Sequence, residues 1–436
     1  MVRPVAITGL GVVTPIGSGM DEYWAALCAG QGAIGEIKLF DAGSFPCRIG
    51  GQMEGFSARP FVPKNYRKAV KVMARDIEIA VAAADLAVRD SHINTRGIDP
   101  DAVDIDSNRL GCNIGAGLIC TDLDELASAV NTAVVDGKFD LRLWGQAGMA
   151  NLTPLWLLKY LPNMLACHVT IIHGAEGPSN TITCGDASSH LAVGEAARLI
   201  ALGRADAIIA GGAESKLNPM GLLRQTLLGR VCTSGNDTPE QACRPFDEGH
   251  AGTVVGEGGG MLLLEDVARA QSRGADIHAQ IVGFGAASDP GGIDVSTATA
   301  GRLDVAVTKA LKDAGITPDQ VDLVVAHGTA VPGEDRHEAK AWRQALGDSL
   351  SDIPAVAVTG SVGSLFAGAG GVQLATAAMA LETQTVPPTR NFTNCDGQCD
   401  LALSEAPRQH RMTYAVSGVF SIGGQSAACV LKRNEA

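Results

Sequence analysis

The stretch from Asn180 to Gly212 constrains the fold more than any other part of the chain. Asn180–Thr183 reads as a strand, Cys184–Asp186 as a sharp turn around Gly185, and Ser188–Leu202 as a helix of small residues. Ala207–Gly212 follows as a second strand with no polar side chain. A strand that is apolar on both faces belongs inside a sheet covered by helices on each side. The pattern predicts an α/β protein built on parallel sheets.

The same alternation runs through the rest of the chain. Val5–Gly9 is a short apolar strand before the turn Gly11–Gly17, and Lys71–Asp90 has helical periodicity with Ala82, Ala83 and Leu86 facing inward. Gly256–Leu264 reads as a strand, and Gly258, Gly259 and Gly260 in its middle predict close backbone approach. A second series follows, with strands at Ala279–Gly285, Val321–Ala326, Ala355–Val358, Tyr414–Phe420 and Ala427–Leu431. Helices at Val305–Ala314, Arg336–Leu346 and Gly371–Leu381 separate the earlier of them. The two series repeat in order, which predicts duplicated βαβ halves: residues 1–265 and 266–436.

Composition agrees with this and excludes other classes. Hydrophobic residues are 46% of the 436, charged residues 19% and aromatics only 4%, while glycine accounts for 53 positions. A core of Ala, Val, Leu and Ile with backbones packed closely follows. The formal net charge of -13 disfavours nucleic acid as a partner. Arg59, Lys64, Arg67, Lys68 and Lys71 form the one local basic cluster, either a solvated face or a landing site for an acidic partner. The 11 cysteines have no CxxC spacing, which reads as a reduced, cytoplasmic protein, with Cys112, Cys120, Cys232 and Cys243 as small buried hydrophobes. Met1–Gly17 reads as strand and turn and not as a signal peptide, and Lys159 and Pro162 break the longest apolar run, so no membrane span is expected. No metal-ligand spacing occurs, and no metal or other cofactor is expected.

Six ordered blocks resemble the β-ketoacyl synthases of the thiolase superfamily. They are VAITGLGVVTPIG (5–17), GPSNTIT (177–183), AARLIALGRADAIIAGGAES (196–215), RPFDEGHAGTVVGEGGGMLLLE (244–265), AHGTAVPGEDRHEA (326–339) and SLFAGAGGVQLA (364–375). The resemblance implies a thiolase-like fold, whose duplicated halves form a layered α-β-α-β-α core. It also implies a site. Condensing members of the family use a cysteine thiolate at a helix N-terminus, two histidines and a supporting lysine. The imidazoles stabilise the enolate formed when malonyl-carrier loses carbon dioxide.

Carried over by position, one of these four groups survives. The cysteine position is Asp186, reached without a gap from Gly177 and from Arg198. The first histidine is His327, the lysine position is Thr359 (Gly360 if the register slips by one), and the second histidine position is Ser364. A carboxylate attacking a thioester would give a mixed anhydride, which hydrolyses and cannot hold a growing chain. Asp186 reads as a helix N-cap in a retired site, with an acid/base role as the alternative. Cys184 is a displaced nucleophile or a core thiol, and His190 a helix-face residue. The gating phenylalanine of the family's C-terminal loop falls at Ile422, two residues after Phe420.

This pattern is similar to chain-length factors, the β-subunits of type II polyketide ketosynthases, although those commonly carry Gln where this chain has Asp186. The similarity implies a non-condensing subunit, inactive alone. It would pair as a heterodimer with a ketosynthase that has an intact triad and meet an acyl carrier protein bearing acyl or malonyl thioesters. Leu118, Ile119, Thr121 and Ile422 would line the acyl tunnel, with Thr121 small where relatives place a bulky gate. Two alternatives stand beside it: a standalone acyltransferase or decarboxylase using His327 with Asp186 or Cys184, and a catalytic homodimer with a disabled nucleophile.

Overall fold

The computed structural model describes residues 3–290 and 301–435; Met1 and Val2, at the start of the expected first strand, lie outside it. Ten strands make the main sheet path. They are β1 (Val5–Thr14), β2 (Leu110–Ala116), β3 (Ser179–Ile182), β4 (Ala207–Ser215), β5 (Val255–Asp266), β6 (Ala279–Ser288), β7 (Leu323–Val325), β8 (Ala355–Val356), β9 (Tyr414–Phe420) and β10 (Gln425–Arg433). Their spatial order is 8-7-9-10-6-1-5-4-2-3. Each half therefore repeats one arrangement: 3-2-4-5-1 and 8-7-9-10-6, joined where β1 pairs with β6. The duplication is plain in topology even though the two halves share little sequence.

The sheet is mixed and not parallel throughout. β2 runs parallel to β3 and β4, and β7 runs parallel to β8 and β9. The strands at the middle, β1, β5, β6 and β10, pair antiparallel. The reason lies in the connections. Only the turn Ser421–Gly424 joins β9 to β10, too short for a crossover helix, so the chain must double back.

Helices complete five layers. α1 (Arg75–Asp90) covers β1, β4 and β5 on one outside face, and α4 (Leu303–Ala314) covers β6, β9 and β10 on the other. α2 (Met164–His173) and α5 (Pro332–Leu346) flank them. Between the two halves lie α3 (Ser188–Ala201) and α6 (Ala369–Thr383), each touching strands of both. A helix between two sheets is apolar all round, and α6 is AGGVQLATAAMALET with nearly every residue buried. The glycines of β5 make this approach feasible: a Cβ on Gly260 would sit 2.4 Å from the backbone carbon of Gly371. Among the described residues, no helix is long and apolar enough to cross a membrane.

His278, just before β6, ties the layers together. Its Nε2 lies 2.9 Å from Asp90 at the end of α1, and its Nδ1 lies 2.7 Å from Glu382 on α6. Burial opposes the charge on this imidazole, but the two carboxylates prevail and raise its pKa to about 9. A folded-state pKa raised above the unfolded value stabilises fully below the unfolded value, here 6.5, and less as pH rises through about 9. The melting-temperature deficit of His278→Asn relative to wild type is expected to be largest near pH 6 and to close by about pH 10; a pH-independent deficit would contradict the assignment.

Candidate active site

The site forms where the halves meet, because β3 and α3 deliver residue 186 from one half and the loop after β7 delivers residue 327 from the other. Gly185 takes φ +58°, which a residue with a side chain rarely adopts, and this lets the chain turn from strand into helix within five residues. Ser421, at the start of the β9–β10 turn, locks the bend from outside. Its hydroxyl donates to the Cys184 carbonyl at 2.5 Å and accepts the Ala187 amide at 3.0 Å. The Ser188 hydroxyl accepts the Cys184 amide at 2.8 Å and donates to the Gly185 carbonyl at 2.6 Å.

Asp186 does not cap the helix. Helix α3 starts at Ser188, its capping position is Ala187, and no side chain caps it. The Asp186 carboxylate turns across the junction instead, with Oδ1 at 3.4 Å from Nε2 of His327, and both residues are buried. Burial alone would raise the Asp186 pKa, but contact with His327, helped by the Arg230 charge, holds it below the usual carboxylate range. Burial likewise opposes charge on His327, and Asp186, Glu338 and Glu334 together raise its pKa above the ordinary imidazole value. Both shifts favour the ion pair.

The surroundings hold His327 by its backbone. Glu338 of α5 accepts the amides of His327 at 2.7 Å and Gly328 at 2.9 Å, and the Trp342 indole donates to the same carboxylate at 3.0 Å. Thr359, expected at the lysine position, donates its hydroxyl to the His327 carbonyl at 2.9 Å. The ring of Phe420 meets the imidazole edge-on, centroids 4.9 Å apart. Ser364, expected at the second histidine position, is buried and bridges to β5 through its backbone, donating to Val254 and accepting from Gly256. His327, Thr359 and Ser364 line one cavity, of about 10 Å³, enough for a water at most. No acyl chain fits there in this conformation.

The expected tunnel residues Leu118, Ile119 and Thr121 are not among those that line this cavity. Thr121 lines a separate groove of about 500 Å³ with Asp76, Cys120, Lys159, Tyr160 and Ser215. Ile119 is buried in the core beneath β2, and Leu118 is exposed, its carbonyl accepting Lys216 at 2.9 Å. Ile422 sits half-buried in the turn after Ser421. Cys184 is half-buried, and burial pushes its thiol pKa up, unfavourable for a nucleophile. Cys112, Cys232 and Cys243 are buried as expected, but Cys120 is half-exposed at the groove, 3.4 Å from the Arg224 guanidinium. His190 is not a surface helix residue. It is fully buried between the halves with Nε2 2.9 Å from the Ser417 hydroxyl, and burial lowers its pKa to about 3.

Sequence reasoning missed the partners that hold the pair. Arg230 is buried in a two-pronged ion pair with Glu334, both bonds 2.8 Å, and lends its field to Asp186. Glu338 stands eleven residues after His327 on α5, inside the block used to place the histidine, so its position was available from the sequence. Arg230 and Ser421 come from distant segments and carried no local signal.

The beta-ketoacyl synthase N-terminal domain model matches residues 2–270, and the C-terminal domain model matches residues 278–393. The chain belongs to the β-ketoacyl synthase family of the thiolase superfamily. The protein named 3-oxoacyl-[acyl-carrier-protein] synthase 2 of Synechocystis is 33% identical over 99% of this chain and 98% of its own length. The protein of the same name from Vibrio cholerae is 32% identical over 99% of each. Among solved structures, the ishigamide ketosynthase/chain length factor superposes with a TM-score of 0.84 at 25% identity, covering all of both chains. A beta-ketoacyl synthase from Burkholderia phymatum reaches 0.85 at 29% identity, also over all of both.

These relatives correct one expectation. The chain was expected to be inactive on its own, yet proteins that match it from end to end at this identity are named as synthases. The expectation weighed four positions only; the likeness extends over the whole framework, which is that of a synthase.

The Asp186 contribution to stability is present above pH 3.8 and lost as pH falls through its lowered value; that of His327 is present below 6.5 and lost as pH rises through its raised value. Asp186→Asn is therefore expected to cost most between about pH 4 and 6.5, roughly 3 kcal/mol for breaking a buried pair. Denaturant titrations at pH 5 and 9 check this, and an equal cost at both would contradict it.

Proposed function

We propose that the chain is one subunit of a two-subunit β-ketoacyl synthase, the chain-length factor beside a catalytic ketosynthase, and that it shapes the tunnel that receives the growing acyl chain. The observation that carries this reading is the buried Asp186–His327 pair. A carboxylate held as an ion pair stands where the family places its thiol, so the acyl group rides on the partner's cysteine. Thr359 and Ser364 serve the backbone around His327 and β5, which fits a site kept for shape. The likeness to a ketosynthase/chain length factor structure supports the same role.

The surface supports a partner on the β3 side. β3 is the end strand of the sheet path, and its residues Ser179 and Asn180 are exposed, as is Thr183 just after it. Leu118, Leu123, Phe139, Leu141, Leu155 and Leu157, in the segment that follows β2, are exposed as well, apolar side chains that a partner would cover. A homologous ketosynthase adding its own edge strand there would cover both features. Leu118, Ile119 and Thr121 lead out of β2 toward that face, and Ile422 lies beside the 184–187 turn through Ser421.

Arg59, Lys64, Arg67, Lys68 and Lys71 are all exposed, and none is in an ion pair among the described residues. Five free cations within thirteen residues of a chain with net charge -13 suit an acidic carrier protein delivering acyl or malonyl thioesters. The division into halves at residue 265 and a cytoplasmic location belong to the same reading.

Two outcomes test it. In a reconstituted pair, Thr121→Trp is expected to shorten the product by at least one extension unit, and unchanged length would remove Thr121 from the tunnel. Arg67→Glu with Lys68→Glu is expected to raise KM for the carrier substrate about tenfold at low salt, with the difference shrinking as salt screens the contact; an unchanged KM would remove the patch.

A further inference from the structure

A second buried charge cluster lies behind the His327 loop, centred on a histidine that neither the site nor the proposed function uses. His250, in the segment that joins β4 to β5, is buried with a carboxylate at each ring nitrogen. Its Nδ1 is 3.1 Å from Asp335 on α5, and its Nε2 is 3.1 Å from Asp396 in the loop before β9. Asp396 is fixed in turn by Arg336 at 2.8 Å and by the Gln398 amide at 2.9 Å.

Asp335 is the point where this cluster reaches the site. One oxygen accepts the Phe246 amide at 2.8 Å as well as His250. The other accepts the Ala330 amide at 3.1 Å and lies 3.4 Å from the Thr329 hydroxyl, two and three residues past His327. Phe246 and Ala330 hold φ of +61° and +64°, left-handed backbone that costs energy for residues with side chains. One carboxylate therefore pins both strained residues, and what fixes that carboxylate fixes the loop.

We propose that His250 is a positioning residue for His327, acting from Asp396 through Asp335 on the Thr329–Ala330 turn. Each of its two contacts needs a proton between nitrogen and oxygen. The cluster provides both when the imidazole is doubly protonated, or when it is neutral with one carboxyl protonated. Loss of one proton leaves a ring lone pair facing a carboxylate, and the link to Asp335 or to Asp396 opens. The other charged and titratable groups facing it are Arg336 and Glu334 of α5, Cys399 beside Asp335, and Arg244 and Asp247 on its own segment. The 3.4 Å spacing of Asp186 and His327 is at the outer limit of hydrogen-bond distance, where a small shift of the loop strengthens or breaks the contact. The inference stands on this geometry and does not depend on the role proposed above.

The test is the titration of the His327 ring, followed by NMR in the full chain labelled with 15N-histidine, the signal assigned by its loss in His327→Gln. In folded His250→Ala, His327 is expected to titrate with roughly threefold lower proton affinity. His250→Arg, whose fork can meet both carboxylates with a permanent charge, is expected to restore the wild-type value. If His250→Ala does not fold, Asp396→Asn, which removes the far anchor and keeps the volume, is expected to give the same loss. A His327 titration unchanged in whichever of these variants folds would overturn the proposal, as would a loss that His250→Arg fails to restore.

Discussion

A buried carboxylate and a buried imidazole from opposite halves of the chain meet at the centre of this molecule, and the structure around them is arranged to keep them there. Asp186 arrives on the turn into α3 and His327 on the loop after β7. Taking both charges out of water is costly, and only their mutual attraction and the groups behind them offset it. Glu338 and Thr359 fix the His327 backbone, Ser421 fixes the Asp186 turn, and the Arg230–Glu334 pair adds a field that favours the carboxylate.

This placement follows from the duplicated fold. Two copies of one strand order meet at β1 and β6, and α3 and α6 are trapped between them. A loop leaving β7 and a turn leaving β3 then open toward the same junction. A thiol at residue 186 would give a nucleophile at a helix start; a carboxylate gives a bond between the halves. The same framework carries both the likeness to synthases along the whole chain and the Asp186–His327 pair at its centre.

Much of this was legible in the sequence because its causes are local. The alternation of strand and helix, the glycines that let β5 approach α6, and the sharp turn at Gly185 each show in a few adjacent residues. The gapless spacing on both sides put Asp186 on the turn before α3, where the structure has it. Its partner was not legible: helix-start chemistry predicts a cap, whereas the carboxylate points away from α3 to a residue 141 positions later. His190 was misplaced for a related reason, since most of α3 is covered by the two halves and only a few positions such as Arg198 reach the surface. The antiparallel centre escaped too, because strand and helix order alone does not reveal that the Ser421–Gly424 link is a tight turn.

If the chain works in a pair, the acyl group must be attached to one subunit and accommodated by both. The exposed edge of β3 and the apolar residues after β2 give the pair a surface to form on, and the sealed cavity beside His327 leaves the tunnel to be built across that surface. The most direct measurement is peptide mass spectrometry of the purified pair, trapped during turnover with acyl-carrier substrate. The acyl group should be found on a cysteine of the ketosynthase partner. An acyl group on Asp186, Cys184 or any other residue of this chain would contradict the account.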